Sequence, residues 1–174
     1  MRALALRRHV SHSACMLTSA LAALVLAAGP PVDIASAAHA LAPPGARVVL
    51  AQERSWDRGI AAWDNGRTVT AAPLEWRARA WRRTRGGGVT FGSPLVRVTG
   101  RSVYVEIHVT MREPLVDDAV FIDGRPADST DFPGPTRGIS VTIATHLARG
   151  RHVAVAYAAI RGSATTRAWT FRVR

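Results

Sequence analysis

The stretch S-V-Y-V-E-I-H-V-T, residues 102–110, alternates without a break. Val103, Val105, Ile107 and Val109 share one face, and Tyr104, Glu106, His108 and Thr110 share the other. Successive side chains of a strand point to opposite faces, so this is the pattern of a strand with one buried side. The same period recurs downstream. In 138–144, Ile139, Val141 and Ile143 alternate with Ser140 and Thr142. In 151–158, Val153, Val155 and Tyr157 alternate with His152, Ala154 and Ala156. In 167–174, Trp169, Phe171 and Val173 alternate with Thr170, Arg172 and Arg174, which sets the two aromatics inward and Arg172 outward. Ala119–Ile122 is a continuous apolar run, as expected of a strand covered on both sides. From Pro94 on, six strands are expected, over 95–98, 102–110, 118–123, 138–144, 151–158 and 167–173. Thr99-Gly100, Asp123-Gly124 and Arg149-Gly150 punctuate them, and Asp-Gly is a strong hairpin signal. Pro126–Gly138 reads as a longer polar loop. Short strands at regular spacing imply an all-β sandwich.

Residues 41–93 add strands to the same sandwich in this reading. Ala42-Pro43-Pro44-Gly45 starts like a linker, and 48–51 reads as a strand. Ser55–Asn65 reads as a short helix with Ser55 as N-cap, a stripe of Trp56, Ile60 and Trp63, and Asn65-Gly66 as its end. Strands follow at 68–71 and 74–82, and Gly86-Gly87-Gly88 is a flexible break.

Residues 1–40 have the order of an export signal. Arg2, Arg7 and Arg8 come first, Ala14–Gly29 is an apolar run, and small residues follow, with cleavage expected between Ala37 and Ala40. The run is short for a membrane span, which needs about 20 residues, so no span is expected after cleavage. The expected product is secreted or periplasmic. Cys15, the sole cysteine, leaves with the signal, which excludes a disulfide scaffold and thiol catalysis. All 23 basic side chains are arginine, against 12 acidic ones. Losing Arg2, Arg7, Arg8 and Asp33 lowers the formal charge from +11 to +9. Arginine without lysine, with heavy alanine use, points to GC-rich bacterial coding.

The tail Leu147-Ala148-Arg149-Gly150-Arg151-His152-Val153-Ala154-Val155, then Gly162, then Trp169-Thr170-Phe171-Arg172-Val173, resembles bacterial immunoglobulin-like domains. Phe121-Ile122-Asp123-Gly124 is similar to an earlier strand of that family and its turn. The resemblance covers residues 94–174 and implies an immunoglobulin-like β-sandwich, in which His152 at the corner position packs and hydrogen-bonds the loop. His39-Ala40-Leu41, followed by Pro43-Pro44-Gly45 and a strand at Val48, also resembles periplasmic copper carriers of the CopC type. That likeness implies a metal role for His39 if it becomes the mature N-terminus. The chain departs from that family where Arg161-Gly162-Ser163-Ala164 replaces its Asp-Gly-His stretch.

The densest chemical feature is Trp76, Arg77, Arg79, Trp81, Arg82, Arg83 and Arg85. Guanidinium groups pair bidentately with phosphate or carboxylate and stack on aromatic rings. Outside the cell this points to an anionic cell-envelope polymer, or to an envelope protein, rather than to nucleic acid. The plain alternative is a charged strand edge that blocks aggregation. Arg149, Arg151 and Arg161 read as surface charges on separate turns. His108 and Glu106 share a strand face, the geometry of a solvated pair or of half a metal site. No nucleophile elbow, zinc-protease or phosphate-loop motif is present. The reading is therefore a non-catalytic binding or structural module without cofactor, with a copper carrier or an unrecognised hydrolase as alternatives.

Overall fold

The computed structural model describes residues 33–133, 137–144 and 146–174. The export-signal reading thus lies outside the described residues, except for Asp33–Ala40. Among the described residues the fold is all-β apart from one short helix, α1 (Ile34–Ala40). Three antiparallel sheets follow. The first is a meander of β1 (Arg47–Ser55), β2 (Arg58–Asp64), β3 (Val69–Arg77) and β4 (Ala80–Arg83). The outer sheet runs β10 (Asp128–Pro133), β11 (Arg137–Ala144), β7 (Ser102–Met111), β5 (Val89–Phe91), and β6 (Leu95–Thr99) also pairs with β7. The middle sheet runs β13 (Ser163–Val173), β12 (Gly150–Ile160), β8 (Asp117–Ile122), β9 (Arg125–Pro126).

The alternation in β7 holds residue by residue. Val103, Val105, Ile107, Val109 and Met111 are buried against Val120, Ala156, Ala158 and Ile160 of the middle sheet. The opposite face of that sheet is covered too. Phe121, Val153, Val155, Tyr157 and Ala159 pack against Leu50, Ile60 and Ala62 of the first sheet. The first sheet in turn carries α1 on its far side, where Ile34, Ala37 and Ala38 meet Ala61, Trp63, Leu74 and Trp81. The order of layers is helix, first sheet, middle sheet, outer sheet. Ala119–Ile122 sits in the middle layer, as its unbroken apolar run requires. Trp169 and Phe171 do point at the core between the middle and outer sheets, but β13 is an edge strand and leaves both half-buried.

Three expectations need correction. Ser55–Asn65 is not a helix but the β1–β2 hairpin: Ser55 pairs with Arg58 across the two-residue loop Trp56-Asp57. Ile60 and Trp63 fall on opposite faces of β2, each buried by a different layer, so a both-sided strand imitated a helical stripe. The strands expected at 68–71 and 74–82 are instead one strand through Pro73, a turn at Ala78-Arg79, and β4. Pro73 is tolerated because its carbonyl accepts from the Thr84 amide, so its missing N–H falls beyond the end of β4. The loop expected over 126–138 contains β10, which continues the outer sheet. The residues around the expected cleavage site, Ile34–Ala40, form a packed helix. Asp33 caps it by accepting from the Ser36 amide at 2.7 Å and its hydroxyl at 2.9 Å.

Gly59 makes that helix possible. A Cβ there would lie 2.1 Å from Ile34 Cδ1 and 2.9 Å from the Gln52 carbonyl oxygen. The indole N–H of Trp63 donates to the Ala38 carbonyl at 2.8 Å, deep under the helix. Ile34→Ala should cost about 2 kcal/mol or more by leaving a cavity, and Gly59→Val about 1–3 kcal/mol by overpacking. Denaturant melts of residues 33–174 measure both, and unchanged midpoints would show that the helix is not seated. Tyr157 gives a contrasting case. It is 1% exposed and its hydroxyl has no partner among the described residues. An unpaired buried hydroxyl costs about 1–3 kcal/mol, so Tyr157→Phe should keep or raise the midpoint, and a fall would reveal a missed partner.

Candidate functional site

β4 is the edge of the first sheet, and its sequence puts arginines on both of its faces. Glu75 stands opposite Arg82, and Leu74 opposite Arg83. The strand enters through Ala78 and Arg79, whose φ angles are +51° and +62°. A tight hairpin asks for positive φ at both central positions, usually supplied by Asn or Gly. Here a non-glycine pair holds it at a cost of about 1–2 kcal/mol per residue. The result is an exposed arginine at the tip.

Beside β4 lies a cleft of about 330 Å³. Arg58, Arg77, Arg82, Arg83 and Arg85 line it, with Glu75 as its one carboxylate. Five guanidiniums against one carboxylate leave a local formal charge of +4. Thr84, Gly162 and Ser163 complete the wall, so the β12–β13 turn of the middle sheet closes a cleft that β4 opens.

The arginines are not equivalent. Arg77 is 2.8 Å from Glu75. Arg58 donates to the Ile160 carbonyl at 3.2 Å. Arg83 lies 4.3 Å from the centre of the Trp63 ring and donates to the Leu41 carbonyl, so it is tied to the chain leaving α1. Arg82 and Arg85 are exposed and have no side-chain partner among the described residues. Arg79 stands outside the cleft, on the turn. Trp76 and Trp81 stack edge to face at 5.6 Å and belong to the cluster under α1, with Trp81 buried and Trp76 half-buried. The expected set thus divides into four cleft arginines, one tip arginine and two tryptophans on the helix side. Arg58, Thr84 and Ser163 were not anticipated. Arg58 was concealed inside the segment read as a helix, and Ser163 arrives from about 80 residues downstream of β4 only through sheet packing.

His39 is exposed on α1. Among the described residues no group of three His, Cys, Asp or Glu side chains is placed to hold a metal. Glu106 takes a 3.0 Å contact from His108 and a 3.2 Å hydrogen bond from Tyr104 on the outer face of β7. Arg151 corrects the reading of a surface charge. It donates twice to Asp64, at 2.6 and 2.9 Å, and Asp64 is 1% exposed. These bonds hold the Asp64 carboxyl below its usual value, against its burial and with help from the Gly66 amide. His152 packs as the corner reading expects. One ring nitrogen is 2.6 Å from Asp123, the other 2.7 Å from the Ala148 carbonyl, and the ring stacks on Phe171. Burial pushes its pKa down, but two acceptors favour the doubly protonated ring and leave it raised. Compared with family models, curated proteins and solved structures, the chain gives no match.

These two groups set opposite pH limits. The contribution of Asp64 is present above the ordinary carboxylate value of 3.8 and is lost as pH falls through its lowered folded value. The contribution of His152 is present below 6.5 and is lost as pH rises through its raised folded value. Melting temperature should therefore fall on both sides of a plateau. His152→Gln should remove the alkaline step alone, and an alkaline step that survives it would assign the loss to another group.

Proposed function

We propose that this chain is an exported, non-catalytic binding module that holds an anionic partner of the cell envelope in the arginine cleft. The observation that carries the reading is the five-to-one excess of guanidinium over carboxylate in one concave site. Phosphate and carboxylate groups match it, because guanidinium forks bind them bidentately. Arg82 and Arg85 supply the free charges, while the Thr84 and Ser163 hydroxyls add neutral donors.

We further propose that residues 94–174 form an immunoglobulin-like sandwich. The order β6-β7-β11-β10 in one sheet and β13-β12-β8 in the other follows the arrangement ABED over GFC of that architecture. On this reading the first sheet and α1 are an addition that covers the outer face of the GFC sheet. Export rests on the charged start, the apolar run and the small residues after it. Because Ile34, Ala37 and Ala38 are buried in the fold, we place processing before Asp33 rather than between Ala37 and Ala40.

A poly(glycerol phosphate) chain is a suitable probe. Arg82→Gln/Arg85→Gln should weaken binding at least about tenfold and flatten the log–log salt dependence by roughly two, about one per charge removed. Stability should stay within about 0.5 kcal/mol. Arg125→Gln/Arg172→Gln removes the same charge from exposed positions outside the cleft. Equal losses for the two pairs would reduce the attraction to net charge and remove the site.

A further inference from the structure

Trp56 is 83% exposed at the tip of the β1–β2 hairpin, and Val116, on the loop before β8, is 61% exposed. Tryptophan is highly buried on average and carries a large apolar area, so one left 83% exposed at a tip beside a second exposed apolar side chain offers a contact surface. Val116 and the residues flanking Trp56, Ser55 and Asp57, line one shallow hollow. Arg58 lines that hollow and the arginine cleft alike, so the apolar tip and the cationic cleft are adjacent. The Trp76 amide donates to the Asp57 carbonyl, which ties the Trp56 tip to the Ala78-Arg79 tip beside it. Arg161 and Arg112 stand exposed on neighbouring turns, with Glu113 the exposed carboxylate among them. Of the other carboxylates here, Asp117 is paired with Arg54 at 2.5 Å and Glu75 with Arg77 at 2.8 Å, whereas Asp57, which accepts from the Ser55 hydroxyl at 2.8 Å, and Glu53, exposed on β1, keep their charge and leave the arginines in excess.

We infer that this end of the domain docks on an anionic lipid surface, with Trp56 and Val116 in the headgroup layer and Arg79, Arg82, Arg85 and Arg161 on lipid phosphates. The inference rests on the anion-binding reading of the cleft and names its partner. Charge complementarity and the exposed aromatic carry it together. A soluble polyanion has use for the arginines but none for an apolar tip, whereas a membrane interface takes an aromatic ring and cationic side chains at the same depth. Each arginine near an anionic surface strengthens partitioning about fivefold. Among the described residues no helix is long and apolar enough to cross a membrane.

The test compares vesicles of equal parts phosphatidylglycerol and phosphatidylcholine with vesicles of phosphatidylcholine alone, and with soluble poly(glycerol phosphate). The wild-type domain should sediment with the anionic vesicles only. Trp56→Ser should lower vesicle partitioning about tenfold, leave poly(glycerol phosphate) binding unchanged, and keep the melting temperature. Iodide quenching gives a second measurement on the wild type. Trp63 and Trp81 are buried and Trp76 and Trp169 half-buried, so the quenching lost in Trp56→Ser reports Trp56, and that component should fall on vesicle binding. Vesicle binding that is unaffected by Trp56→Ser overturns the docking surface and leaves the arginine cleft standing. Binding to poly(glycerol phosphate) without binding to vesicles also overturns it and makes a soluble polymer the ligand. Binding to neither removes both readings.

Discussion

A sheet covered on both faces cannot send a polar side chain to water except at its ends, and the middle sheet is under that constraint. β12 is buried continuously from His152 to Ile160. Its odd positions, Val153 to Ala159, face the first sheet, and its even positions, Ala156, Ala158 and Ile160, face the outer sheet. The alanines answer a packing demand. Trp169 lies directly across from Ala154, and Arg167 across from Ala156, so a large neighbour fills what the small residue leaves. The polar groups sit at the margins and are paired there. Arg54 grips Asp117 at one end of the contact between first and middle sheets, and Arg151 grips Asp64 at the other. Arg167 reaches the Phe91 carbonyl across the other interface. Removing one partner from such a pair leaves a desolvated charge, which costs more than the pair itself contributes.

The same constraint connects the fold to the cleft. Because the first sheet spends one face on the middle sheet, its other face needs a separate cover, and α1 provides it. Gly59 allows Ile34 to seat, Trp63 bonds to Ala38, and Arg83 then reaches over Trp63 to the Leu41 carbonyl. One wall of the arginine cleft is therefore fixed by the chain leaving the helix. The opposite wall comes from Gly162 and Ser163, which the middle sheet positions. The cleft exists because the edge of one layer passes the turn of another.

What the sequence showed clearly was whatever depends on one face and one neighbour. The β7 pattern is legible because one side of that strand is core and the other is water. Asp123-Gly124 is legible because both residues sit at positive φ in a hairpin turn, as that dipeptide favours. Segments serving two interfaces were harder. Ile60 and Trp63 are both buried, but by different layers, and their spacing alone imitates a helix. Ile34–Ala40 carries the small residues that suit a cleavage site, and the same smallness lets a helix lie close on a sheet. Arg151 looked like its neighbours Arg149 and Arg161 until the packing set it against Asp64. Arg58 and Ser163 join the site through contacts of long sequence separation, which no local pattern encodes.

Since every basic residue is an arginine, a count of charges says little about binding, and the structure must sort them. Arg54, Arg151 and Arg167 bridge layers and are spoken for by Asp117, Asp64 and Phe91. Arg58 and Arg83 are held by carbonyls but still present guanidinium edges to the cleft. Arg82 and Arg85 are held by nothing among the described residues. A held guanidinium has already lost its rotamer freedom, so it can receive an anion at little further entropic cost. A free one gives up more freedom but brings a charge that nothing in the protein neutralises. On the proposed reading the held arginines would orient a phosphate or carboxylate and the unpaired ones would add uncompensated charge. This combination, rather than the net charge of +11, separates the cleft from the rest of an arginine-rich surface.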